Sequence, residues 1–187
     1  MRVIAGTARS LPLKTPSGTD TRPTTDRIKE TLFNMLQPYV PDGIFIDLFS
    51  GSGGIGIEAL SRGAKHAYFV ENDRDAFLCI QSNVAFTKLA DQATLFRQDV
   101  FNALTMIHEK EADIIFMDPP YNQGYEAKTL AALADKPYVT ENTLIIVEAK
   151  LSEDFSFAAG LGYRIEREKN YKTNKHVFLR KEQGKEG

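Results

Sequence analysis

The sequence holds a single cysteine, Cys79, so no disulfide can close within the chain, which fits a reducing compartment. It has no apolar run near the roughly 20 residues of a membrane span. Its opening, MRVIAGTARS, lacks the apolar stretch of a secretory signal. A bacterial-type cytoplasm is therefore the expected setting, with no membrane partner. Histidine is scarce as well: His66, His108 and His176 stand at no ligand-like spacing, so no metal is expected and each reads as surface or ordinary packing. Internal repeats and low-complexity segments are also missing, which excludes solenoid and disordered classes.

The 187 residues, 42% hydrophobic and 26% charged, suit one domain with a substantial core. The expected divisions are an arm and helix over 1–41, a catalytic core over 42–181 and a flexible tail over 182–187. A net charge of −2 argues against indiscriminate nucleic-acid binding, but the sign is split along the chain. Residues 1–30 set Arg2, Arg9, Lys14, Arg22, Arg27 and Lys29 against three acids, a balance of +3 that leaves −5 for the rest. A second basic cluster, Arg164, Arg167, Lys169, Lys172, Lys175, Arg180 and Lys181, lies near the other terminus. Each cluster alone can be a solvated face; two that converge point to phosphate contact.

Residues 1–23 read as a short strand, RVIAG, and a turn-rich arm, and TTDRIKETLFNML as a capped amphipathic helix ending near Pro38. Strands IFIDL, HAYFVE, TLFRQ, DIIFMD and TLIIVEA then alternate with helices, the pattern of a parallel sheet covered on both faces. YRIEREKNY and HVFLRK follow with no helix between them, so an antiparallel pair is expected at one edge.

Between the first of these strands and its helix, DLFSGSGGIGIEAL carries Gly51, Gly53 and Gly56 at G-x-G-x-x-G spacing. The motif alone fits a tight turn without ligand, but Glu71 ends the next strand twenty residues after Gly51, where an acid can accept from a ribose hydroxyl. A nicotinamide dinucleotide or S-adenosylmethionine would satisfy both features. Asp47, four residues before Gly51, favours the latter: a carboxylate there suits a cationic amine and repels a pyrophosphate. Asp99 ends the third strand, where it can accept from an adenine amine with Val100 and Phe101 beside the ring, or can simply cap the next helix.

The fourth strand ends in Asp118-Pro119-Pro120-Tyr121. Neither proline can continue a sheet, so the strand stops with an acid and an aromatic at its carboxyl end, where open α/β sheets bind ligands. The bland alternative is a strand-ending turn with a core tyrosine. As a site, the Asp118 carboxylate and the Pro119 carbonyl would accept from the exocyclic amine of a base and stabilise positive charge developing on it. Pro120 would hold those acceptors still, and Tyr121 would offer a stacking face.

DPPY after an apolar strand resembles the motif of amino-methyltransferases acting on adenine, guanine or cytosine. Together with MRVIAG, TRPTTDRIKETLFNML, DLFSGSGGIGIEALSRGA and VENDRDA, it resembles the RsmD family, the 16S rRNA guanine-N2 methyltransferases, over nearly the whole chain. The resemblance implies a Rossmann-like class I methyltransferase fold: α/β, a mostly parallel seven-stranded sheet with an antiparallel C-terminal edge, and an N-terminal arm and helix. It implies S-adenosylmethionine as cofactor, bound around Asp47, Phe49, Gly51, Ser52, Gly53, Glu71, Asn72, Asp99 and Val100. Asp118, Pro119, Pro120 and Tyr121 would hold the base. The partner would be 16S rRNA within a small-subunit assembly intermediate, met by a monomer. Arg9, Lys14, Arg22, Arg27 and Lys172 are the candidate RNA contacts, with the arm also closing over the cofactor, or Arg22 meeting its carboxylate. Two departures fall in these segments: the family's early RG is Arg9-Ser10 here, and its late YG is Tyr171-Lys172. The rival readings are an adenine-N6 DNA methyltransferase, for which the chain leaves little room for a recognition domain; a nicotinamide dehydrogenase, which lacks an obvious acid; and a non-catalytic RNA-binding protein, whose rim would be damaged.

Overall fold

The computed structural model describes residues 1–17 and 25–184. Helix α1 spans Asp26–Leu36, started by the Thr25 hydroxyl accepting from the Ile28 N–H, and its stripe of Leu32, Phe33 and Leu36 is buried. Strand β1 (Ile44–Leu48), helix α2 (Gly54–Ser61), β2 (His66–Val70), α3 (Arg74–Phe86), β3 (Ala93–Phe96) and α4 (Val100–Met106) follow. After them come β4 (Ile114–Met117), α5 (Tyr125–Ala134), β5 (Leu144–Lys150) and the hairpin β6 (Tyr163–Asn170) and β7 (Asn174–Lys181). Short 3₁₀ turns at Ala90–Gln92 and Ser156–Leu161 are additions to the elements expected from sequence.

The seven strands form one sheet in the order β3-β2-β1-β4-β5-β7-β6. β1 to β5 are parallel, and β7 joins β5 antiparallel with β6 outside it. Both faces are covered, which is why IIFM and LIIV read as unbroken apolar runs. Phe45, Phe69, Phe116 and Ile146 pack under α1, α2 and α3, while Ile46, Leu48, Met117 and Val147 pack under α4 and α5. The chain proceeds from β1 to one side, through β2 and β3, and returns to the other at β4. The crevice of this topological switch lies beyond the carboxyl ends of β1 and β4, and both sequence motifs fall there.

The arm differs from expectation. RVIAG is not a strand: Arg2 and Pro12 make a single antiparallel bridge, because the neighbouring N–H groups of Ile4 and Ala5 are taken by the Glu58 carboxylate of α2. Ser61 Oγ accepts from the Ala8 N–H and donates to the Ala5 carbonyl. Buried Lys29 of α1 donates to the Arg2 carbonyl and pairs with Glu58, which Arg62 also contacts. Residues 1–14 are thus stitched along α2 as a fixed wall. At the turn of the arm Ser10 has φ 70, a left-handed conformation that costs a residue with a Cβ and that glycine adopts freely, which accounts for the family's glycine there.

The C-terminal basic cluster also differs. Lys175 is buried and donates to the Glu153 carbonyl; Lys181 donates to the carbonyls of Ala134 and Val139; Arg180 pairs with Glu166 and donates to the Asn142 carbonyl. These three cations close the hairpin onto the sheet, whereas Arg164, Arg167 and Lys172 of the same cluster are exposed. Among the described residues no helix is long and apolar enough to cross a membrane.

Candidate active site

The turn after β1 turns sharply through left-handed conformations at Phe49 (φ 58), Gly51 (φ 56) and Gly53 (φ 84), the last of which starts α2. Its shape is held by side chains from below. Ser50 Oγ donates to the Asp47 carbonyl and accepts from the Val70 N–H, tying the ends of β1 and β2 together. Glu71 accepts from the Gly51 N–H at 2.7 Å and from the Asp73 N–H at 2.8 Å. Asp47, buried in the sheet, accepts from the Gly56 N–H at 3.0 Å. A Cβ on Gly56 would lie 2.4 Å from the Phe69 ring, so the glycine is what lets α2 lie so close to β2.

Burial pushes the Asp47 carboxyl well above its ordinary range; the Gly56 N–H opposes this and the charge of Glu71 adds to it. Glu71 is raised too, again chiefly by burial, against the hydrogen bonds of the Asp73 and Gly51 N–H groups. Two acids beneath one turn, both poorly solvated, favour a cation and disfavour an anion in front of them.

A cavity of about 220 Å³ opens beside the turn. Of the residues expected around a cofactor, Phe49, Glu71, Asn72, Asp99 and Val100 line it. Gly51 and Gly53 belong to the turn at its edge, and Asp47, buried beneath the turn, is not among the residues that line it. Ser52 faces away: it is buried, its carbonyl accepts from Asn83 Nδ2 and its hydroxyl points to the Met1 sulfur. Phe101, as expected, and also Val70, Gln98 and Tyr125 complete the lining. Tyr125 meets Phe49 edge-on at 5.5 Å and stacks on Phe101 at 6.3 Å, bringing the start of α5 over the end of β1. A glycine followed by an aromatic after DPPY was the available signal for it. Asp99 caps α4: Oδ1 accepts from the N–H groups of Phe101 and Asn102 and Oδ2 from Asn102 Nδ2, while the residue also lines the cavity.

Across the crevice the Asp118 N–H donates to the Leu48 carbonyl at 3.4 Å, joining the ends of β4 and β1. Pro119 is buried and Pro120 and Tyr121 are exposed, so the aromatic is no core residue. Lys150 Nζ lies 5.4 Å from the Tyr121 ring centroid and donates to Asn122 Oδ1. Asp118 is reached by solvent from the crevice but walled by protein behind. That desolvation, then the charges of Glu148, Asp47 and Glu126, raises its carboxyl well above the usual range. The same surroundings push the Tyr121 phenol up to about 12, so it stays neutral. The rim therefore offers acceptors and a flat uncharged face.

The candidate RNA contacts separate. Asn83 holds Lys14 by its backbone N–H and carbonyl and also holds Ser52, placing Lys14 beside the glycine turn. Arg27 is exposed on the first turn of α1, next to the Asp26 that pairs with Arg2. Lys172 sits at the tip of the β6–β7 hairpin; since β7 begins opposite Lys150, this tip is at the crevice end of the sheet. Arg9 lies by Ser61, a helix length of roughly 11 Å from the turn, and is not brought to the crevice. Arg22 lies outside the described residues. Among those described, no group of three or more His, Cys, Asp or Glu is placed to hold a metal ion.

The family described as conserved hypothetical protein 95 matches residues 1–180. The Bacillus subtilis protein YlbH is 44% identical over 149 residues, covering 79% of this chain and 80% of that one. Ribosomal RNA small subunit methyltransferase D of Escherichia coli is 37% identical over 153 residues, covering 81% and 75%. In three dimensions the Escherichia coli protein yhhF superposes with a TM-score of 0.81 at 33% identity, covering 97% of this chain and 98% of that one. The sheet order and this likeness make the fold that of class I methyltransferases. The chain belongs to the conserved hypothetical protein 95 family, the RsmD family that includes small subunit methyltransferase D.

Proposed function

We propose that this protein transfers a methyl group from S-adenosylmethionine to the exocyclic N2 of a guanine in 16S rRNA, position 966 in small-subunit numbering. The observation that carries the reading is the meeting of two unlike surfaces at one switch point. One is an acidic, aromatic-walled cavity on Glu71 and Asp99; the other is the acceptor rim at Asp118 to Tyr121, tied to it through Leu48. The cavity fits a phosphate-free nucleoside carrying a cationic amino acid: Glu71 and Asp99 would accept from hydroxyl and amine groups, and Phe49, Phe101 and Tyr125 would flank the ring. When bound, S-adenosylmethionine supplies an activated methyl, so the chain's task is placement.

In that placement Asp118 and the Pro119 carbonyl accept from the target amine and orient its lone pair, and Tyr121 stacks on the base, worth roughly 1–3 kcal/mol. The rRNA reading is supported by the name of the Escherichia coli relative, and a small-subunit assembly intermediate, a cytoplasmic setting and a monomer are proposed with it. Titration calorimetry tests the cofactor: S-adenosylhomocysteine binds and NAD does not, and comparable heats from NAD would overturn the assignment. In Asp118→Ala, methyl transfer falls by a factor of about 10² or more while S-adenosylhomocysteine affinity holds.

A further inference from the structure

Behind the rim lies a row of polar residues that the proposed reaction leaves unused. The last paired residues of β4 and β5 are Met117 and Val147, so Asp118 and Glu148 come next, side by side. Glu148 is paired in turn with His176 of β7. Glu148 Oε2 is 2.9 Å from His176 Nε2, and Glu148 Oε1 accepts from Asn174 Nδ2 at 2.9 Å. His176 is fully buried, its ring edge-on to Phe116, and its Nδ1 is 3.2 Å from the Tyr171 hydroxyl. An ionised carboxylate can only accept, which puts a proton on Nε2; with a neutral ring Nδ1 then accepts from the Tyr171 O–H. Each member is thereby aimed by the next, from the hairpin tip to the back of the rim.

We propose that Tyr171, His176 and Glu148 form a positioning chain that fixes an anionic carboxylate beside Asp118, so that Asp118 acts as proton acceptor in the transfer. This rests on the proposed methylation of an amine. The amine nitrogen uses its lone pair for the bond to the methyl carbon, and the electron pair of the broken bond stays with the donor. The charge left on nitrogen is discharged as a proton to a carboxylate oxygen of Asp118, and from there to solvent. An isolated carboxylate is a poor acceptor at neutral pH, whereas Asp118 faces Glu148 of β5, Asp47 of β1 and Glu126 of α5, all acids. Lys150 is turned to Tyr121 and Asn122, and Arg167 acts on Tyr171 at the far end of the chain.

The test is the titration of the Asp118 carboxyl, followed by carbon NMR in the ligand-free protein, alongside the pH profile of kcat. Removing a neighbouring anion makes Asp118 easier to ionise, so in Glu148→Gln its midpoint and the acidic limb of kcat both move down by roughly one pH unit. KM for RNA and S-adenosylhomocysteine affinity hold. Tyr171→Phe frees the far end without opening the core and moves both readouts the same way by less. If Glu148→Gln fails to fold, Tyr171→Phe carries the test. Unmoved midpoints in the variants that fold would overturn the chain, and so would a change in KM alone. Absence of amine methylation by the wild type would instead overturn the proposed function, and the NMR titration distinguishes the two.

Discussion

Asp47 Oδ2 accepts a 3.0 Å hydrogen bond from the Gly56 backbone N–H, so a buried acid of β1 fastens the first turn of α2 beneath the glycine turn. The carboxyl is raised well above its ordinary value of 3.8, principally by burial. A raised folded pKa means that the native state holds the proton more tightly than the unfolded chain. The cost of ionising Asp47 is therefore absent in acid and grows as pH rises through the folded pKa.

Asp47→Asn keeps an acceptor for Gly56 and removes that cost. The variant melts at a higher temperature than the wild type, by about 2–4 °C for each kcal/mol relieved, with a larger gain at pH 8 than at pH 5. Calorimetric melting at the two pH values checks the sign, and an equal gain at both would contradict it.

The site was legible where the backbone itself imposed a residue type. Gly51 and Gly53 take left-handed φ, which glycine adopts freely although Phe49 shares it, Gly56 meets the Phe69 ring, and the two prolines could only end β4. The five parallel strands and the edge hairpin were readable for the same reason, from apolar runs with punctuation between them. What stayed hidden depends on contacts distant in sequence. Glu58 looks like any helical acid until the arm's N–H groups are seen to converge on it, 53 and 54 residues away. His176 read as ordinary packing because Glu148, its partner, is 28 residues off on another strand. The C-terminal basic run was only partly legible, because charge counts take no notice of the internal carbonyls that Lys175 and Lys181 satisfy.

Glu58 pairs with buried Lys29, on which Asp26 acts more weakly and whose amine burial already makes easier to deprotonate, and it also anchors Ile4, Ala5 and Arg62. Glu58→Gln removes the paired carboxylate from the buried ammonium, a loss of roughly 3–5 kcal/mol. The melting temperature drops by about 10 °C, and limited proteolysis cuts the arm before the core. A drop of only a degree or two would show that the arm is not held this way.

Ser10→Gly relieves a left-handed residue that costs about 1 kcal/mol. Thermal unfolding at fixed pH shows a rise of about 2–4 °C, whereas Lys172→Gly, at a position without positive φ, shows no gain.

Lys14 stands beside the glycine turn, Lys172 at the crevice end of the hairpin and Arg27 on the exposed start of α1, whereas Arg9 lies by Ser61. Alanine at each of the first three weakens binding of many RNA sequences alike and reduces the salt slope by roughly one. Arg9→Ala leaves both unchanged. Binding isotherms at several salt concentrations read this directly, and a wild-type slope in all four variants would remove the arm and the hairpin tip from the RNA-binding face.

The most direct measurement is to give the purified protein labelled S-adenosylmethionine together with small-subunit particles from cells lacking it, then digest the RNA and identify the labelled nucleoside by mass spectrometry. The account predicts label in N2-methylguanosine at one position of 16S rRNA, lost in Asp118→Ala. Label in N6-methyladenosine, or no transfer by a protein that still binds S-adenosylhomocysteine, would contradict it.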